Sequence, residues 1–228
     1  MKFNLLLQVI ALVSAKVSND LGNDITGQIL KPVDGKSGEQ AAVIFLIGDG
    51  CDHNAYVDQL KMIQDKVPFP LWVAIPKIAF NTPIPVGISV YMDAMKANLK
   101  LEHGFKATKY FYGGHSLGGA STADWVHKNL DDAEGAFLWG AYVGHKVEDP
   151  VKNYGVPVLT VGAQYDGWMA RITRIAQSFD QMMSSPIEDS MFTNPVVMIP
   201  GADHASFLTG IPPSKVQETD LRATAPFA

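Results

Sequence analysis

The sequence has almost no cysteine and no concentration of positive charge. Cys51 is the one cysteine among 228 residues, so no disulfide can form within the chain and the fold must rest on its core. Charged residues make up 18%, the net charge is −5 and no run of Lys or Arg occurs, which argues against nucleic acid or an anionic membrane surface as a partner. Hydrophobic residues make up 47%, which is enough for a packed core.

Phosphate-binding and metal-binding motifs are also missing from the sequence. No G-x-G-x-x-G or Walker-type loop follows a predicted strand, and we expect no cofactor. Residues 49–53 read D-G-C-D-H, but without a second group of ligands this cluster does not predict a metal site. Cys51 is best interpreted as a small apolar core residue.

The first 15 residues have the order of features typical of a secretory signal peptide. Lys2 is followed by a mostly apolar stretch from Phe3 to Val13 and by small residues that could precede a cleavage point. The stretch is too short for a bilayer-spanning helix. We therefore expect a signal peptide over 1–15, a single domain over 16–228, secretion, and no stable membrane insertion.

Short apolar runs that end in turn residues predict the strands of a parallel sheet, because runs without alternation are typical of strands covered on both faces. Segments with helical spacing of apolar residues lie between these runs. The predicted strands are Ala42 to Ile47, Leu71 to Ile75, Lys109 to Tyr112, Gly135 to Val143, Val156 to Val161 and Pro195 to Ile199, and the predicted helices cover 56–63, 88–101, 117–130 and 170–183. This alternation predicts an α/β fold, with a mostly parallel central sheet and helices on both faces.

One motif carries most of the chemical information. Residues 114–118 read G-H-S-L-G, which fits G-x-S-x-G and lies between a predicted strand and a predicted helix. The tight turn requires small flanking residues, and the helix N-terminus favours negative charge that develops on a substrate oxygen. With this segment the chain resembles the α/β-hydrolase superfamily from about residue 41 to 207, and the resemblance identifies Ser116 as the nucleophile.

The resemblance also implies a general base downstream of Ser116. Three histidines follow it: His127, His145 and His204. His127 lies one helix beyond the motif, and His145 could reach the site only from a loop at a strand end. His204 lies in P-G-A-D-H-A after the last predicted strand, where the family has its catalytic histidine. We therefore assign the base to His204.

Two carboxylates compete for the role of orienting acid. Asp166 follows the 156–161 strand in G-A-Q-Y-D-G, which resembles the G-x-x-x-D loop of the family. Asp203 is directly next to His204, but adjacent side chains usually diverge. We favour Asp166 and retain Asp203 as the alternative.

The oxyanion hole should combine two backbone N–H donors. The resemblance implies one donor at Leu117 and the other in the loop after the 42–47 strand. Many relatives have His-Gly in that loop where this chain has Ile-Gly, and either Asp49 or Gly50 can supply the second N–H. A carboxylate this close to a developing oxyanion would be costly unless it points away.

The expected substrate is an ester, which makes the protein a carboxylic ester hydrolase of the serine esterase or lipase type. About a dozen residues separate Val143 from the next predicted strand, which leaves no room for a helical lid. The site should therefore be open, with Tyr165, Trp168 and Phe207 as apolar walls that contact a small-molecule or lipid ester. Lidless members similar to this plan include secreted lipases, cutinase-like and chlorophyllase-like esterases and dienelactone hydrolases.

Three alternatives remain beside this interpretation. The chain could be an inactive binding protein on the same fold, or the same Ser-His-Asp triad could serve acyl transfer or perhydrolysis.

The sequence also departs from its relatives after the His204 loop, where relatives usually add a helix. Here Pro212-Pro213 and about fifteen residues with few apolar side chains follow, so the sequence does not predict that helix in this domain.

Overall fold

The computed structural model describes residues 27–144, 153–167, 172–184 and 190–212. Its strands are β1 (Gln28–Leu30), β2 (Ala41–Leu46), β3 (Leu71–Ile75), β4 (Tyr110–His115), β5 (Gly135–Trp139), β6 (Val158–Ala163) and β7 (Val196–Ile199). They form one seven-stranded sheet in the order β1-β3-β2-β4-β5-β6-β7. β1 pairs antiparallel with β3 and every other pair is parallel.

Helices lie between most successive strands from β2 onward, as the sequence predicts. They are α1 (Val57–Lys66), α2 (Ile88–Leu101), α3 (Leu117–Lys128), α4 (Ile172–Met183) and α5 (Ser190–Thr193), with short 3-10 helices at His53–Tyr56, Ala79–Asn81, Leu130–Asp132 and His204–Phe207. The mostly parallel sheet flanked by helices confirms the predicted α/β fold class.

The two faces of the sheet are covered by different helices. Tyr112 of β4 packs on Trp125 of α3 at 4.7 Å, and a Cβ at Gly162 of β6 would lie 2.5 Å from Ile175 of α4. Because the strand register puts these two positions on one face, α3 and α4 share that face. α1 packs on the opposite face, where its Ile63 lines a groove with residues of β5 and β6.

Several element boundaries differ from the prediction for local reasons. β5 ends at Trp139 because Gly140 turns the chain with a φ of +51°, a region that favours glycine. β1 and α5 were not predicted, since three or four residues are too few to show a period. β7 is an edge strand of the described sheet, and Val197 and Ile199 are exposed on one of its faces.

Several predictions fall partly or wholly outside the described residues. The signal peptide over 1–15 and the segment after Pro212 both lie there, so secretion and the single domain over 16–228 stay predictions. Within the described residues, no helix is long and apolar enough to cross a membrane.

The first turn of α3 lies against the end of β2 more closely than a side chain would allow. A Cβ at Gly118 would be 2.1 Å from the carbonyl oxygen of Ile47 and 2.6 Å from that of Leu46. Both obstacles are backbone atoms, so relief would require movement of the strand or the helix itself.

We expect Gly118→Ala to lower the free energy of unfolding by about 3 kcal/mol or more, because overpacking against side chains already costs about 1–3 kcal/mol. Thermal and urea unfolding followed by circular dichroism would measure the change. Gly144→Ala is the matched control, since a Cβ there meets nothing within 4 Å. Equal stability of the two variants would contradict this steric account.

Candidate active site

Three strand ends bring the candidate catalytic residues to one edge of the sheet. Ser116 follows β4, Asp166 follows β6 and His204 follows β7. These strands are parallel, so their carboxyl ends lie at the same edge, where open α/β sheets bind their ligands. Residues far apart in sequence thereby become neighbours.

Ser116 occupies a strained turn between β4 and α3. Its backbone has φ 53° and ψ −122°, a conformation that costs on the order of 1–3 kcal/mol for a residue with a side chain. The Ser116 N–H donates to the carbonyl oxygen of Trp139 at 2.9 Å, which helps to hold the turn. A Cβ at Gly114 would lie 2.6 Å from the backbone of Gly118, so the flanking glycines are required sterically.

Ser116, His204 and Asp166 form a continuous chain of hydrogen bonds. His204 Nε2 lies 2.8 Å from Ser116 Oγ, and His204 Nδ1 lies 2.6 Å from Asp166 Oδ2. The side chains of His204 and Asp166 are 2% and 0% exposed, so water does not compete for these bonds. An ionised carboxylate only accepts, so Nδ1 carries the proton and Nε2 can accept from the serine hydroxyl.

Asp203, the alternative acid, is used in a different way. It caps the 3-10 helix His204–Phe207, where Ser206 Oγ donates to Asp203 Oδ1 at 2.8 Å and the Asp203 N–H donates to Ser206 Oγ at 3.0 Å. The structure therefore brings Asp166 to the ring of His204, while the carboxylate of Asp203 stabilises the turn that carries His204.

The hydrogen bonds of the three predicted oxyanion donors distinguish them. Leu117 is the first residue of α3, so its N–H has no acceptor within the helix. The Gly50 N–H donates to Asn81 O at 2.8 Å and is thus already engaged. The carboxylate of Asp49 accepts from Thr82 Oγ at 2.9 Å, which directs its charge to the loop after β3.

The three predicted substrate contacts have different outcomes. Tyr165 is half-buried and its N–H donates to Ala202 O at 2.8 Å, while Trp168 lies outside the described residues. Phe207 is buried behind the candidate base, where its ring lies 6.1 Å from that of Trp139 at an interplanar angle of 17°. Its observed contacts are therefore with the core around His204.

One buried polar residue in the site was not predicted. His115 lies directly before Ser116, with its Nδ1 2.9 Å from Tyr56 Oη and its Nε2 3.1 Å from the carbonyl oxygen of His204. In the motif it stands at a variable position, which is why the sequence analysis passed over it. The available signal was a histidine at the carboxyl end of a buried strand.

The remaining histidines and acids form no competing centre in the described structure. His127 Nδ1 lies 3.4 Å from Tyr154 O, away from Ser116, and His145 lies outside the described residues. Cys51 is buried, and among the described residues no group of three His, Cys, Asp or Glu side chains could hold a metal ion.

Comparison with known proteins identifies the family of this chain. The model of the alpha/beta hydrolase family matches residues 42–217, so the chain belongs to the α/β-hydrolase family. No curated protein matches its sequence.

Solved structures with a similar fold include esterases and a dienelactone hydrolase. They include Est1E from Butyrivibrio proteoclasticus with ferulic acid bound (14% identity, 78% of this chain and 86% of that one, TM-score 0.54), esterase PE8 (14%, 79% and 91%, 0.53) and a dienelactone hydrolase from Anabaena variabilis (14%, 78% and 87%, 0.50). At this level of identity the likeness establishes a shared fold.

Proposed function

We propose that this protein is a serine hydrolase that cleaves carboxylic esters of small molecules or lipids through an acyl-enzyme. The observation that carries the proposal is the hydrogen-bonded chain from Ser116 through His204 to Asp166. An isolated serine hydroxyl is a weak nucleophile, and this chain supplies both a base and a group that orients the base.

In the proposed acylation step, Ser116 Oγ attacks the ester carbonyl carbon while its proton passes to His204 Nε2. The Nδ1–H of His204 stays hydrogen-bonded to Asp166, which stabilises the imidazolium that forms. The carbonyl oxygen becomes an oxyanion near the Leu117 N–H and the positive end of α3. Collapse of the tetrahedral intermediate breaks the ester C–O bond, and His204 returns its proton to the departing alcohol.

Deacylation repeats these roles with water as the nucleophile. Water gives a proton to His204 Nε2 and attacks the acyl carbon, and the second tetrahedral intermediate expels Ser116 Oγ, which recovers the proton. We assign the second oxyanion donor to the loop at Asp49 rather than to Gly50, because the Gly50 N–H already donates to Asn81. The engagement of the Asp49 carboxylate by Thr82 supports this assignment.

The loop after β3 offers an apolar surface for the substrate next to this site. Phe80 is 97% exposed and has a φ of +57°, which is unusual and costly for a bulky residue. The loop is tied to the candidate oxyanion loop by the bonds Gly50 N to Asn81 O and Thr82 Oγ to Asp49. Exposed apolar surface at a site of this kind favours substrates with an apolar acyl or alcohol part.

The first test of the proposal is the nucleophile itself. We expect wild-type protein to react with a fluorophosphonate probe at Ser116 and to hydrolyse p-nitrophenyl esters. Ser116→Ala should fold normally but lose labelling and at least about three orders of magnitude of kcat. Ser37→Ala, at an exposed serine before β2, is the control and should match wild type. A wild-type protein that neither labels nor hydrolyses would instead be a binding protein on this fold.

The second test separates the two carboxylates. Asp166→Asn should lower kcat by about three to four orders of magnitude, because an amide can donate to Nδ1 and stabilise the wrong tautomer of His204. Asp203→Asn should change kcat only a few-fold, since Asp203 acts on the turn through Ser206. Both variants need a check of folding by thermal unfolding. A large loss of kcat in Asp203→Asn together with a nearly normal kcat in Asp166→Asn would show that the acid is misassigned.

The third test addresses the apolar rim. Phe80→Ser should reduce kcat/KM for long-chain p-nitrophenyl esters about fivefold, the equivalent of about 1 kcal/mol of apolar contact, and leave the acetate unaffected. Leu101→Ser is the matched control, because Leu101 is 80% exposed at the end of α2, near the opposite edge of the sheet. Equal losses on short and long esters, or equal effects of the two variants, would exclude a substrate contact at Phe80.

A further inference from the structure

His115 and Tyr56 form a buried polar pair behind Ser116 that the proposed reaction does not use. Both side chains are 0% exposed, and the Tyr56 hydroxyl lies 2.9 Å from His115 Nδ1. Each also contacts backbone: the Gly48 N–H donates to Tyr56 Oη at 2.8 Å, and His115 Nε2 lies 3.1 Å from His204 O. The pair therefore spans the distance between two loops of the candidate site.

The direction of the two hydrogen bonds that His115 makes follows from its partners. A carbonyl oxygen only accepts, so His115 Nε2 must carry a proton and donate to His204 O. Burial, and next the neighbouring His204, lower the pKa of His115 well below its usual range, so its Nδ1 is unprotonated. Nδ1 then accepts from the Tyr56 hydroxyl, whose pKa is raised mainly by burial and which therefore keeps its proton.

Two further contacts tie the same loops together. A Cβ at Gly48 would lie 2.6 Å from His115 Nδ1 and 3.1 Å from Tyr56 Oη, so the loop after β2 packs directly on the pair. On the other side, the N–H and hydroxyl of Thr209 both donate to Ala55 O, at 2.8 and 2.9 Å. The segment that carries His204 is thus joined to the segment that carries Tyr56.

We propose that Tyr56 and His115 are positioning residues that hold the oxyanion loop at Gly48 and the base His204 in a fixed relation around Ser116. The inference rests on the proposed function, since it concerns the geometry of that reaction. Both loops must hold their positions as the oxyanion forms, because a displacement of about 1 Å can lower the rate about 100-fold. The bridge acts through backbone atoms, so neither side chain needs to touch the substrate.

Tyr56→Phe removes the hydroxyl but keeps the ring, which packs 5.0 Å from Phe45. We expect kcat to fall about 10- to 100-fold with KM within about twofold of wild type. Tyr154→Phe is the matched control, because Tyr154 is equally buried and its hydroxyl donates to Ala123 O of α3 at 3.0 Å, a bond that involves neither loop of the site. Equal kcat values for the two variants would overturn the inference.

A double-mutant cycle tests whether the two side chains act as one bridge. His115→Phe keeps an aromatic ring but removes both the donor to His204 O and the acceptor for Tyr56. If the bridge is real, Tyr56→Phe should cost little further kcat in the His115→Phe background. If the losses in kcat of the two single variants add fully in the double variant, the two side chains act independently and the inference is contradicted.

Nitrogen-15 spectra of the histidine rings test the bridge without reference to activity. At pH 7 His115 should be neutral with the proton on Nε2, and Tyr56→Phe should move its Nδ1 resonance downfield as that hydrogen bond is lost. A proton on Nδ1 would overturn the inference. A wild-type protein without turnover or labelling would overturn the proposed function as well, whereas an active wild type with a normal Tyr56→Phe would overturn this inference alone.

Discussion

The close approach of the first turn of α3 to the ends of β2 and β4 is the contact on which the rest of the site depends. It requires that no side chain stands at Gly114 or Gly118, whose Cβ atoms would meet backbone at 2.6 and 2.1 Å. The same turn forces Ser116 to a positive φ, at a cost on the order of 1–3 kcal/mol that the surrounding sheet offsets. This backbone conformation places the serine hydroxyl at the sheet edge, directly above the N-terminus of α3.

The sheet then determines which distant residues reach that hydroxyl. β6 and β7 lie parallel to β4 in the sheet, so the loops that follow them arrive at the same edge and deliver Asp166 and His204. Short-range contacts refine their positions. The cap by Asp203 and Ser206 makes the His204 turn compact, and burial of the Asp166 carboxylate strengthens its bond to the ring.

The sequence was informative where a pattern had a single physical explanation. Continuous apolar runs predicted the buried strands, and the resemblance around 114–118 implied the order of serine, acid and histidine. The sequence was uninformative about the direction in which a side chain points, even where it placed that residue close to the site. Phe207 follows the base closely, yet its ring points into the core near Trp139. His115 occupies a variable position of the motif, and only the register of β4 shows that it points inward to Tyr56.

Two buried histidines with rings 4.7 Å apart raise an electrostatic question, because the proposed reaction places a positive charge on one of them. Two such charges would repel by about 3 to 4 kcal/mol at an effective dielectric constant of about 20. The partners of the two Nδ1 atoms remove this conflict. A phenol donates to Nδ1 of His115, which keeps that ring neutral, whereas a carboxylate accepts from Nδ1 of His204 and can stabilise the imidazolium that the proposed reaction forms. The two neighbouring histidines therefore have different roles, because a donor faces Nδ1 of His115 and an acceptor faces Nδ1 of His204.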